Sequence, residues 1–175
     1  MSNEAIKTAG KNTIVFFPGR IIPSIIGFLS VIIFTKILGP EKYGDYSLVL
    51  STISIFIILS ASWLENTIIR FYPYGKKDKI IDYNKTIFFS TVISILIFSI
   101  LYVIAIKILS NFDQYTNLSN AFYFGLLAFI SMSFFRIVIV FFIASQQPKN
   151  YSIYSILFAI GKVFLASLLL VFVKS

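Results

Sequence analysis

The sequence predicts an all-α membrane protein with about five transmembrane helices. Of its 175 residues, 58% are hydrophobic and 13% charged, whereas a soluble domain carries roughly 45–50% apolar and about 25% charged residues. Three stretches contain no Asp, Glu, Lys or Arg: 46–64 (19 residues), 86–106 (21) and 114–135 (22). Each approaches or exceeds the roughly 20 residues that one crossing of the hydrocarbon takes.

The tail to about residue 12 carries Lys7 and Lys11 ahead of an apolar run that continues to Ile37. No A-x-A-like cleavage site interrupts it, so an uncleaved first span is expected over about 13–38. It holds Pro18, Pro23 and Gly27. These residues kink or loosen a helix and survive in membranes where neighbours re-satisfy the freed backbone groups, a pattern typical of transporters. At Gly39-Pro40-Glu41 a glycine suits a helix end, a proline the first position of the next helix, and an acid that helix's positive terminus. A tight helical hairpin is expected there. The second span covers about 43–71, followed by a polar connection over 72–85 with Pro73, Gly75 and most of the surface charge. The third covers about 86–109, then a short polar loop over 111–119. The fourth covers about 120–145, the chain breaks at Gln146-Gln147-Pro148-Lys149-Asn150, and the fifth covers about 151–173. Together they form one helical transmembrane domain over 1–175.

Composition removes several function classes. The net charge of +8 sits mostly at the ends of apolar runs, whereas a nucleic-acid binder clusters its cations on a solvated face, so no nucleic-acid partner is expected. Cys and His are absent, which excludes the usual zinc sites and nucleophile–base pairs; no metal and no cofactor is expected. Asp78 and Asp82 are the nearest approach to a metal-dependent lipid phosphotransferase, but two carboxylates in a basic connection make a weak site. The chain is read as a non-enzyme in contact with the lipid bilayer. With the N-terminus cytoplasmic, the inside collects Lys7, Lys11, Arg70, Lys76, Lys77, Lys79, Lys85 and Lys149, and the outside Lys36, Lys42, Lys107 and Lys174. That two-to-one excess of inside cations favours N-in in a cell membrane. The run Lys76-Lys77-Asp78-Lys79 then reads as a topogenic, headgroup-contacting segment.

Five ionisable residues lie within or at the margin of the spans: Arg20, Glu65, Arg70, Arg136 and Lys162. A charge at a helix centre costs about 2.5–3.5 kcal/mol on insertion scales, so such residues usually face a cavity or a partner. At about 1.5 Å per residue, Arg20 lies roughly 10 Å in from the cytoplasmic end of its span, and Arg136 and Lys162 roughly 14–17 Å. That arithmetic places the basic groups within one to two turns of each other. Arg70 is at the rim, where snorkelling alone accommodates it. Helical spacing surrounds them with small residues: Pro23, Ser24 and Gly27 beside Arg20; Ser47, Ser51, Ser54 and Ser62 leading to Glu65; Ser152, Ser155, Ala159 and Ala166 about Lys162. Two readings follow, a close-packed face with a few paired charges or an anion-accepting cavity in which Glu65 neutralises one cation. Repeated costly cations favour the cavity. Aromatic residues are expected at interfaces and towards lipid, Phe141 among them.

The segment Thr35-Lys36-Ile37-Leu38-Gly39-Pro40-Glu41-Lys42-Tyr43-Gly44-Asp45-Tyr46 resembles the first helical hairpin of the polysaccharide-transporter (O-antigen and lipid-linked oligosaccharide flippase) family, within the multidrug/oligosaccharidyl-lipid/polysaccharide flippase superfamily. Ala61 to Phe71, closing in Arg70-Phe71, is similar to that family's second span; Phe135-Arg136 and Ala144-Ser145-Gln146-Gln147 are similar to its fourth and fifth. The resemblance implies part of a two-bundle flippase fold and the movement of a polyprenyl-pyrophosphate-linked oligosaccharide across the cytoplasmic membrane. It assigns Gly39, Pro40 and Gly44 to the hairpin, and Arg20, Arg70 and Arg136 to lumen cations; Lys162 and Glu65 join the substrate-binding set from their positions alone. Members generally have twelve or more spans in two halves, so this chain is expected to be an N-terminal portion, completed by a C-terminal half or by a homo-oligomer. Two other functions stay open. A drug/cation antiporter would need intramembrane acids, of which Glu65 alone qualifies, and a non-transporting assembly subunit would keep its charges in closed pairs.

Overall fold

The computed structural model describes residues 14–78, 80–111 and 118–174, with backbone alone over 73–78, 80–82, 119, 165 and 167–174. Lys7, Lys11 and Lys79, and the side chains of Lys76, Lys77, Asp78, Asp82 and Lys174, lie outside the described set, as does most of the loop expected over 111–119. Five helices follow in order: α1 (Pro18–Leu38), α2 (Pro40–Asp78), α3 (Ile80–Leu109), α4 (Ser119–Ala144) and α5 (Pro148–Lys174). Among the described residues, Ile14–Leu38, Pro40–Tyr72, Tyr83–Leu109 and Asn120–Ala144 are long and apolar enough to cross a membrane. The chain is an all-α, multi-pass membrane protein. The fifth expected span is helical over Pro148–Lys174.

The helix junctions follow local chemistry. Pro18 lacks an N–H and interrupts the first span at Phe17, whose carbonyl accepts from Arg20 and Ile21 at 3.1 and 3.0 Å. Gly39 stops α1 with φ +80° and donates its N–H to Thr35 at 3.0 Å, a conformation natural only to glycine. Pro40 then opens α2, with Glu41 in its first turn. Gly44 is an ordinary α2 residue with open space where a Cβ would stand. After α4, Gln146 turns the chain at φ +54°, and α5 begins at Pro148, three residues before the expected start. Pro148 therefore opens a helix as Pro40 does, and the Gln147 side chain accepts from Asn150 at 2.7 Å.

The connection expected over 72–85 is helical instead at every described residue. α2 runs through Pro73 and Gly75 to Asp78, and α3 starts at Ile80. Polar composition marks where a helix leaves hydrocarbon, not where its backbone bonding stops, because intrahelical hydrogen bonds are satisfied in water as well as in lipid.

The helices form two compact units, one of described residues 14–43 and 145–174 and one of residues 44–144. In the first, α1 packs on α5 at their N-terminal ends. A Cβ on Gly19 would stand 2.6 Å from the Ser152 Cα and 2.9 Å from the Tyr151 ring. The Ser152 hydroxyl donates to the Val15 carbonyl at 2.5 Å, and the Phe16 and Tyr151 rings meet edge-on at 5.2 Å. Small residues thus serve close helix approach here, as van der Waals packing in lipid requires.

In the second unit α2 contributes Val49, Ile53, Ile57, Ala61, Leu64 and Ile68, a buried stripe at three- and four-residue spacing. Its upper part joins Ile95, Tyr102 and Ile106 of α3 with Phe122 and Phe129 of α4; its lower part joins Ile87 of α3 with Ile137 and Val140 of α4. Between these two apolar clusters, in sequence on every helix, lie the buried hydroxyls Ser60, Thr91, Ser94 and Ser133. Ser94 donates to the Ser60 carbonyl at 2.8 Å, tying α3 to α2. Tyr102 donates to the Phe122 carbonyl at 3.1 Å, tying α3 to α4. Phe141 packs against the lower cluster and meets Tyr72 edge-on at 6.4 Å, so it is a packing residue, not the lipid-facing one expected.

Candidate functional site

The Ser51 and Ser54 side of α2 is not its packing face, which carries the buried Ser60. Ser51 and Ser54 are exposed, while the buried stripe is the aliphatic one; Ser54 satisfies its hydroxyl on the Leu50 carbonyl of its own helix at 2.8 Å. On α1 the pattern repeats: Arg20, Ser24 and Gly27 are exposed, Ser24 bonds back to the Arg20 carbonyl at 2.8 Å, and Gly27 has nothing within 4 Å of a Cβ position. On α5 the small residues divide. Ser152 is buried in the contact with α1, and Lys162 is exposed.

Glu65 and Arg136 meet. Glu65 on α2 accepts from Arg136 on α4 through both carboxylate oxygens, Oε1 from Nε and Oε2 from Nη2, the latter at 3.3 Å. α2 and α4 are held at this level by Leu64, Ile68, Ile137 and Val140, each one to four residues from a charged partner, so the packed apolar stripes set the positions of both. The side chains differ in access: 39% of Arg136 is exposed and 17% of Glu65. The bond to Nε and one Nη2 hydrogen occupies the side edge of the guanidinium, so the terminal Nη1/Nη2 fork has no partner among the described residues. The pair is electrically neutral, yet three of five Arg136 N–H donors are left over.

Arg70 is exposed and lies over the neighbouring Phe71 ring, 5.5 Å from its centroid, a cation–π contact. In the other unit Arg20 and Lys162 have no ion-pair partner among the described residues. Counted from the Gly19–Ser152 contact, Arg20 is one residue further along α1 and Lys162 ten residues further along α5. Sequence reading also missed Gly19, Tyr102 and Gly125. A Cβ on Gly125 would stand 2.6 Å from the Tyr102 hydroxyl; a lone tyrosine and a lone glycine inside apolar runs were the available signal.

Residues 9–175 match the family model of a polysaccharide biosynthesis protein. The chain belongs to that family. Among curated proteins and among solved structures nothing matches it. This polysaccharide biosynthesis protein presents, on its helices, one paired and partly open arginine, together with further exposed cations on α1, α2 and α5.

Proposed function

We propose that this protein takes part in flipping a polyprenyl-pyrophosphate-linked oligosaccharide across the cytoplasmic membrane, with its N-terminus cytoplasmic. Arg136 carries the proposal, since a guanidinium on a membrane helix with an unoccupied terminal fork is the group that binds a phosphate bidentately. Its family places the protein in polysaccharide biosynthesis, whose membrane step needs a carrier for a bulky anionic headgroup. Arg20 and Lys162 supply further positive charge with no ion-pair partner among the described residues. The irregular first span, broken at Pro18 and carrying Pro23, provides backbone that bends during alternating access. An antiporter for cationic drugs is disfavoured because Glu65, the acid it needs, is committed to Arg136.

The test is complementation by the full-length protein in cells lacking their own lipid-linked oligosaccharide flippase. Arg136→Ala is expected to abolish surface polysaccharide while membrane protein levels hold, and Arg136→Lys to retain part of it. Normal polysaccharide from Arg136→Ala at normal protein level defeats the proposal and leaves Arg136 as a packing residue.

A further inference from the structure

We infer that Glu65 is a positioning residue that presents Arg136 to an anionic headgroup and holds its affinity down, so that the headgroup is released as well as captured. The inference rests on the flippase reading and deepens it. A free arginine in lipid swings towards the nearest interface, because its charged head seeks water along a flexible stem. Glu65 prevents this by gripping the Nε/Nη2 edge with both oxygens. A carboxylate gripping the terminal Nη1/Nη2 edge would have closed the fork; gripping the side edge leaves that fork open. The open donors belong to the more accessible partner, 39% exposed against 17% for the carboxylate, so an anion reaches the arginine without displacing the glutamate.

The same carboxylate repels that anion. It lies on the adjoining side edge of the guanidinium, where one negative charge opposes another across a few ångströms of partly screened protein. Transport profits from this opposition, since a carrier site must bind well enough to load and weakly enough to unload. The chemistry served is a phosphate or pyrophosphate group, offered by the lipid-linked sugar or by a bulk phospholipid.

The two effects separate by substitution in the full-length protein, titrated with polyprenyl pyrophosphate in nanodiscs of zwitterionic lipid for binding and assayed in proteoliposomes of the same lipid for translocation. Glu65→Gln keeps an acceptor for Nε and removes the charge; it is expected to bind the probe about tenfold tighter and to translocate it more slowly. Glu65→Ala removes the grip as well and is expected to bind more weakly than Glu65→Gln. Titration with inorganic pyrophosphate, and competition by nanodiscs containing phosphatidylglycerol, distinguish a polyprenyl carrier site from general anion or phospholipid affinity; equal affinity for phosphatidylglycerol would overturn the carrier assignment. If Glu65→Gln binds no tighter than wild type per folded molecule, while wild type still binds and transports, Glu65 is a structural partner only and the flippase reading stands. If wild type neither binds nor transports the probe, both fall together.

Discussion

The Tyr102 hydroxyl occupies the space that a side chain on Gly125 would need, 2.6 Å from the position of its Cβ. That hydroxyl is also the donor to Phe122, so the bond between α3 and α4 and the absence of a side chain at 125 are one arrangement. Gly125→Ala is expected to lower the melting temperature in detergent, since overpacking a fixed interface costs about 1–3 kcal/mol. Tyr102→Phe alone loses one hydrogen bond, about 1 kcal/mol. The double variant should be less damaged than the sum, because removing the hydroxyl leaves the flexible end of Ile53, at 3.0 Å, as the nearest obstacle. A thermal-shift double-mutant cycle checks this; strict additivity would show that the two positions do not share the space.

Glycines on the first span are expected to respond unequally. Gly19→Ala meets backbone, the Ser152 Cα, which cannot swing aside, and should loosen α1 from α5. Gly27→Ala enters open space and gains helix propensity. Disulfide trapping between cysteines placed at Phe16 and Tyr151, whose rings now touch, should fall with Gly19→Ala and hold with Gly27→Ala.

Ser133 is 1% exposed, and its hydroxyl has no partner among the described residues. A buried hydroxyl without a bond costs about 1–3 kcal/mol, so Ser133→Ala should match or exceed wild type in thermal stability. Ser94→Ala, which cuts the link to Ser60, should fall below it by about 1 kcal/mol. A Ser133→Ala protein clearly less stable than Ser94→Ala would place a bonding partner at Ser133.

Orientation is open to direct measurement because the chain contains no cysteine. Lys107 and Lys149 are both exposed and are assigned to opposite sides by the charge bias. A cysteine at 107 should react with a membrane-impermeant maleimide added to intact cells, and one at 149 only after permeabilisation. The reverse pattern inverts the topology.

The helices themselves were legible because they depend on local properties: a long charge-free run favours a continuous apolar helix, and Gly39-Pro40 ends one helix and starts another. Helix ends beyond the lipid were not, since the polar composition of 72–85 reports surroundings rather than backbone bonding. Glu65 was readable as a partner for some cation, yet choosing Arg136 required the packing of Leu64 and Ile68 against Ile137 and Val140, a contact no local pattern specifies. The serines of α2 were read as one stripe with Glu65, whereas the helix packs on its aliphatic side. In lipid both sides are apolar enough to pack, so composition does not choose between them.

The length of α2 has a mechanical consequence. Its 39 residues span about 58 Å, well beyond the roughly 40–45 Å of a whole bilayer with its headgroups. The excess falls at the end towards α3, where the residue types from Pro73 to Asp78 suit water and headgroups better than hydrocarbon. Such an overhang is a lever: in the proposed flipping cycle a small tilt of the embedded segment becomes a larger sweep at the tip, and a probe attached there reads that tilt at amplified scale. Spin labels near the tip would turn the transport cycle into a distance that can be timed.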